Sequence, residues 1–199
     1  MIKVVLLENH YIPRVVCLHN LAFKDFFLTQ LGDDFLKLYY TSILQHEDGM
    51  LIGYFESNEL HGFCAVTTYS KGFNSRMIQK KIIPFGLIGI KLLFTKPGSL
   101  VRLFNNFTKS DPSIKDEGEY GELLSIGVDP DKQGKGVGKQ LLLELEKQLK
   151  SKGINKLSLT TDYFNNDKAI GFYKSMGYGI MYEFTAYPNR KMYRLIKQL

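Results

Sequence analysis

Tryptophan is absent from the 199 residues, and cysteine, histidine and proline are scarce, at two, four and six. Two thiols, Cys17 and Cys64, make no disulfide framework and fit no metal-ligand spacing. A disulfide-stapled scaffold and a zinc ribbon are therefore excluded. Each cysteine reads as a small buried apolar residue in a reducing cytoplasm. His10, His19, His46 and His61 fall in no triad or ligand pattern and read as surface or hairpin residues, so no metal is expected. No run of 18 apolar residues occurs, which excludes a membrane-spanning helix. The opening MIKVVLLENHYIPRVV has a short apolar run but no small-residue cleavage site, and reads as a strand rather than a signal peptide.

Apolar residues make up 44 % and charged residues 23 %, an ordinary globular balance. The length suits one domain, 1–199, with a large insertion. Lys and Arg exceed Asp and Glu by 26 to 20, a net charge of +6. That excess permits an acidic partner such as anionic lipid, nucleic acid or a phosphate-bearing cofactor. The lysines are dispersed rather than blocked together, so charge alone selects none of these, and nucleic acid is not expected.

Residues 3–7 predict a first strand. Val15, Val16, Leu18, Leu21 and Ala22 recur at helical spacing and predict helix from about 13 to 46, broken at Gly32, with Asp33 as the N-cap of the second half. MLIGYFE and LHGFCAVTTY, on either side of Ser57–Glu59, predict an antiparallel hairpin. Residues 70–118 include the apolar KKIIPFGLIGIKLLF, interrupted by Pro84, Gly86 and Gly89, and then the polar TKSDPSIKDEGE. This stretch reads as an insertion with one or two helices. Beyond it GELLSIGV predicts a strand, and Val137, Leu141, Leu145 and Leu149 give a helix over 137–151 its apolar stripe. The strand NKLSLTTD, a short helix stopping at Gly177, and the strands YGIMYEF and KMYRLI complete the chain. The order implies an α/β protein with a mixed sheet and helices on its faces.

Between the strand GELLSIGV and its following helix lies QGKGVG, with glycines at 134, 136 and 138. The free N–H groups and positive dipole end of a helix bind phosphate, and glycine removes side chains that hold an anion away. Lys135 and Lys139 add positive charge. The loop is no P-loop, because Gln140 follows Lys139, and its G-x-G-x-G spacing is not the dinucleotide fingerprint.

Gln133, Gly136 and Gly138, following Val128–Asp129–Pro130, resemble the Q-x-x-G-x-G signature of the GCN5-related N-acetyltransferase (GNAT) family. Asn166, Ala169, Tyr173, Gly177 and Tyr178 stand in the register of a second family motif. The resemblance covers roughly 120–185 and extends loosely to 1–69, whereas 70–118 match no part of the family pattern. It implies the acyl-CoA N-acyltransferase fold, a mostly antiparallel twisted sheet in which one parallel strand pair splays apart. Acetyl-CoA is the implied co-substrate. Its pyrophosphate would lie on Gly134, Lys135, Gly136, Val137, Gly138 and Lys139, and its pantetheine along Ile126, Gly127 and Val128. Gly127 suits a bulge at the splay point or close packing against a helix.

By the same resemblance Asn166 touches the pantetheine and Tyr173 protonates the leaving thiolate, the alternative for Tyr173 being core packing. Glu122 has two readings, a base raised in pKa by burial beside Leu123 and Leu124, or a strand-end carboxylate in water or paired with a basic residue. Glu119 and Asp162 are further candidates. The expected acceptor is a primary amine of a small molecule, with an amino sugar or a nucleotide-linked amino sugar as examples. Protein N-acetylation and a non-catalytic acyl-CoA-binding module are the alternatives, and a homodimer is compatible with the family.

The insertion would border the acceptor. Lys71, Arg76, Lys80, Lys81, Lys91, Lys96, Arg102 and Lys109 with Phe73, Phe85, Phe94, Phe104 and Phe107 read either as a basic, aromatic-lined pocket or as ordinary helices with solvated lysines. Residues 82–94, too short to span a bilayer, also allow contact with an anionic membrane surface.

Overall fold

The computed structural model describes residues 1–108 and 116–199. Seven strands form one sheet in the order β1-β2-β3-β4-β5-β7-β6. They are β1 (Ile2–Leu6), β2 (Gly49–Glu56), β3 (Glu59–Thr67), β4 (Gly121–Val128), β5 (Lys156–Asp162), β6 (Gly179–Ala186) and β7 (Arg190–Gln198). All neighbours are antiparallel except β4 and β5. The β2–β3 turn places Ser57 and Asn58 at positive φ, as a tight hairpin requires.

Two apolar clusters sandwich the sheet. On one face α1 (Ile12–Ala22), the short α2 (Phe27–Gln30) and α3 (Asp33–Gln45) bury Val15, Leu18, Phe35, Leu36, Tyr40 and Ile43. On the other, α7 (Val137–Ser151) buries the stripe Val137, Leu141, Leu145 and Leu149, as its four-residue spacing predicts, and α8 (Asp167–Ser175) adds Tyr173. A partly buried ion pair ties α7 to β7, with Lys197 Nζ 2.7 and 2.8 Å from the Glu146 carboxylate. The Tyr178 hydroxyl donates to the same carboxylate at 3.2 Å.

Several local expectations change. Gly32, at φ 91°, is the N-cap of α3, and Asp33 occupies the first turn, where its charge favours the helix dipole. Among the described residues the insertion holds three helices, α4 (Phe73–Lys80), α5 (Ile82–Thr95) and α6 (Pro97–Thr108). Pro84 is tolerated because it lies in the first turn of α5, where a missing N–H breaks no helical bond. Cys64 is buried as expected, whereas Cys17 is exposed.

His19 and His46 are buried rather than superficial. His19 Nδ1 lies 2.6 Å from the Tyr40 hydroxyl, its ring packs against Phe23, and burial lowers its pKa to about 4. The unfolded chain therefore binds more protons than the folded one between pH 6.5 and about 4. Stability is full above that window and falls as pH drops through it, by about 3 kcal/mol for this group alone. Chemical unfolding of wild type and His19→Gln at about pH 7.5 and pH 4 should show a shallower acid loss in the variant. Equal losses would remove His19 from the acid response. Burial also lowers the pKa of His46, so it acts in the same direction.

Candidate active site

The parallel pairing of β4 with β5 is brief. Gly121, Glu122 and Leu123 pair with Leu157, Ser158 and Leu159, and nothing beyond them pairs, although both strands continue. The cause lies on the other edge of β4. Ala65 faces Ser125 and Val66 faces Leu123, so Leu124 is an extra residue and bends the strand. The bulge is therefore at Leu124, not at Gly127. Beyond it β4 and β5 diverge into a gap.

Strand alternation decides which backbone groups line that gap. Asp129 donates its N–H toward β3, to His61 O at 2.8 Å, so Gly127 shares that direction, and the N–H and C=O groups of Ile126 and Val128 point away from β3. Ile126 and Val128 can thus offer the pantetheine a strand edge. Gly127 has a different reason to be glycine. A Cβ there would stand 2.7 Å from the Phe63 ring and 3.3 Å from Phe23, so its packing partners are two aromatic rings.

At the end of β4 the chain enters the glycine loop. Gly134 and Gly136 have φ of 73° and 81°, and a Cβ built on either would meet nothing within 4 Å. These two are glycines for their left-handed backbone and for the open space above it, not because the protein crowds them. Gly136 caps α7, whose first bond joins Gln140 N–H to Gly136 O, so the N–H groups of Val137, Gly138 and Lys139 have no helical acceptor. The Val137 side chain is buried and anchors the helix start, while Lys135 and Lys139 are exposed. Gln133 Nε2 reaches back to Val128 O at 3.5 Å, joining loop and strand. Open space, free donors and two lysines fit a pyrophosphate.

Helix α8 closes the gap from the same face. Asn166 precedes its first turn and donates to Thr161 Oγ1 at 2.6 Å and Asp162 O at 3.2 Å, so its amide nitrogen holds β5 and its amide oxygen is left for a ligand. Tyr173, two turns on, packs beside Tyr178 and Cys64, and Cys64 is the β3 partner of Ile126. Burial, reinforced by Cys64, pushes the Tyr173 phenol up to about 12. The hydroxyl therefore stays protonated near neutrality and can act only as a donor of its proton to a stronger base.

The opposite face carries a polar network that the motifs do not announce. Glu122 Oε1 accepts from Arg194 Nη1 at 2.6 Å, and Oε2 accepts from the Ser70 hydroxyl. The Glu122 carboxylate is thus held from both sides, by a basic residue and a hydroxyl. Burial opposes the charge on Arg194, but Glu122, Tyr120 and Tyr182 outweigh it and raise its pKa. Next to it Asp116 accepts from Tyr182 at 2.5 Å and from Tyr120. Arg194 was legible only as a polar residue inside the strand KMYRLI; its partner lies 72 residues away. Asp162 is bridged by Arg190, and Glu119 is exposed at the far end of β4, beside a cavity of about 440 Å³ remote from the glycine loop.

The basic residues of the insertion do not converge. Arg76 pairs with Asp48, Lys80 with Glu47, Lys91 with Asp34 and Lys71 with Glu117. His46, Glu47 and Asp48 bring ligand atoms within 4.8 Å of one another, but those two carboxylates are the ones engaged by Lys80 and Arg76. Phe73 is in the core and Phe94 is exposed. Lys109 and the side chains of Phe104 and Phe107 lie outside the described residues. Two of the basic residues turn toward α2: Lys96 donates to Gln30 O at 2.6 Å, and Arg102 reaches the start of the helix. The Arg102 guanidinium stacks 4.6 Å above Phe27, and Arg190 stacks 5.5 Å above the adjacent Phe26. Burial and then Arg190 lower the pKa of Arg102, and its buried Nε has no hydrogen-bond partner among the described residues.

A parallel pair opened by a bulge, with a helix start of free N–H groups beneath it, is the arrangement of the acyl-CoA N-acyltransferase fold, whose enzymes seat an acyl-CoA between two strands. The profile described as the acetyltransferase (GNAT) family matches residues 15–178, and the chain belongs to that family, whose co-substrate is acetyl-CoA. Mycothiol acetyltransferase of Arthrobacter sp. (strain FB24) is 32 % identical over 104 residues, covering 52 % of this chain and 30 % of the relative. Mycothiol acetyltransferase of Kocuria rhizophila is 33 % identical over 73 residues, covering 37 % and 24 %. The chain thus spans about a quarter to a third of the length of these relatives.

Among solved structures, the ribosomal-protein-S18-alanine N-acetyltransferase of Escherichia coli aligns with a TM-score of 0.63 at 16 % identity, covering 100 % of this chain and 94 % of that one. The PaiA N-acetyltransferase of Thermoplasma acidophilum, in complex with coenzyme A, aligns at 0.60 and 16 %, covering 100 % and 99 %. At such identities the likeness is one of fold. Among the described residues no helix is long and apolar enough to cross a membrane.

Proposed function

We propose that this chain transfers the acetyl group of acetyl-CoA to a primary amine of a small, acidic molecule, such as an amino sugar or its nucleotide-linked form. The observation that carries the transfer is the gap at Leu124, with the glycine loop beneath it and Tyr173 on its flank. The amine nitrogen attacks the thioester carbonyl from the α1–α3 face, forming the C–N bond as the C–S bond breaks. Tyr173 gives its proton to the departing sulfur, and Glu122 receives the proton that the amine loses. Arg194 and Ser70 hold the carboxylate in place. The Val128 N–H can meet the developing oxyanion.

The acidic character of the acceptor rests on Arg102 and Arg190. Two guanidiniums stack on neighbouring rings, Asp162 balances one of them, and the other has no carboxylate partner among the described residues. An anionic group on the acceptor would complete that arrangement. The mycothiol acetyltransferase relatives agree with a small-molecule acceptor rather than a protein.

Release of CoA thiol should be measured with amino sugars, nucleotide-linked amino sugars, polyamines and N-terminal peptides. Acidic amino sugars are expected to turn over fastest, and a preference for peptides would overturn the small-molecule reading. Glu122→Gln keeps the shape and one acceptor oxygen for Arg194, lets the Ser70 hydroxyl turn to accept from the amide, and removes the base; kcat/KM is expected to fall about 10- to 100-fold. An unchanged value would mean that the proton leaves through water alone.

A further inference from the structure

Helix α5 is apolar on both sides, but only one side is packed. Phe85, Ile88 and Leu92 face the first cluster, against α3. On the opposite side Ile83, Leu87, Ile90 and Phe94 form a second stripe at helical spacing, and they are 75 %, 64 %, 58 % and 82 % exposed. Ile82, Leu93 and, on α6, Val101 are exposed as well. A continuous apolar face of this kind is uncommon on a free monomer and marks a contact surface.

Charge says what covers it. Residues 70–118 contain nine Lys and Arg but three Asp and Glu, so this segment carries the whole net charge of +6 and the rest of the chain is balanced. Lys80, Lys81, Lys91 and Lys96 stand around α5. Lys80 and Lys91 are paired with Glu47 and Asp34, and Lys96 donates to Gln30 O, but all three contacts are well exposed and leave the ammonium groups open to other anions. A second copy docking α5 against α5 would bring two such positive regions together. An anionic bilayer satisfies both features, taking the apolar stripe below the headgroups and the lysines among them.

We propose that α5 seats the protein on an anionic lipid surface, lying in the plane of the interface rather than crossing it. At 14 residues the helix is too short to span a bilayer. The inference is independent of the acceptor, because it rests on a face that lines neither the gap nor the glycine loop.

The test is cosedimentation of the full chain with phosphatidylcholine vesicles, with and without about 30 mol % phosphatidylglycerol. Wild type should pellet with the anionic vesicles, less with phosphatidylcholine alone, and less as salt is raised. In the double variant Leu87→Glu, Ile90→Glu, partitioning should drop at least about tenfold, while acetyl-CoA still raises its thermal midpoint as in wild type. Absence of wild-type binding, or equal binding by the variant, overturns the proposal. So does sedimentation velocity showing a wild-type dimer that the same substitutions dissolve, which would assign the face to a second copy.

Discussion

In Tyr173→Phe, kcat for acetyl transfer is expected to fall about 100- to 1,000-fold, with the acetyl-CoA Kd unchanged within about twofold. The substitution removes one oxygen from a buried ring and leaves the ring's contacts with Phe172 and Tyr178 intact. What disappears is a phenol whose pKa burial has pushed up to about 12. Such a group keeps its proton until a thiolate forms beside it, so its loss is felt in the chemical step and not in binding. Single-turnover rates with calorimetry on both proteins separate the two. Unchanged turnover would return Tyr173 to a packing role. A parallel loss of thermal stability and CoA affinity would do the same, because a residue that only packs affects the whole fold.

Gly136→Asp should raise the acetyl-CoA Kd by about 100-fold or more. Two effects coincide. The position has φ 81°, which an L side chain adopts at a cost of about 1–2 kcal/mol. The carboxylate would also stand at the capped end of α7, beside the free N–H groups on which the proposed pyrophosphate would lie. Gly136→Asn separates them, because asparagine matches aspartate in shape and in left-handed backbone tolerance but carries no charge. It should retain much of the affinity in calorimetry, whereas the aspartate should not. Equal affinity in wild type and Gly136→Asp would move the pyrophosphate away from this loop.

The most local features were the most legible. The glycines at 134 and 136 announce a left-handed loop, and the spacing of Val137, Leu141, Leu145 and Leu149 announces the helix it starts. Both follow from backbone sterics and periodicity within a few residues. Tyr173 was placed by a short motif on one helix for the same reason. Gly127 shows the limit. Its residue type signalled a special position, but a bulge and a close ring contact both call for glycine, and the choice depended on Phe63 and Phe23, far away in the chain.

By itself, then, the sequence determined the order of strands and the main helices outside 70–118, the glycine loop and the helix that carries Tyr173, because each is written in neighbouring residues. Only the tertiary structure decided where β4 leaves β5, that Glu122 answers to Arg194, that Arg102 meets Arg190 over two phenylalanines, and which side of α5 is left bare. Those are pairings between distant segments, and strand register and helix packing set them through contacts that no local pattern records.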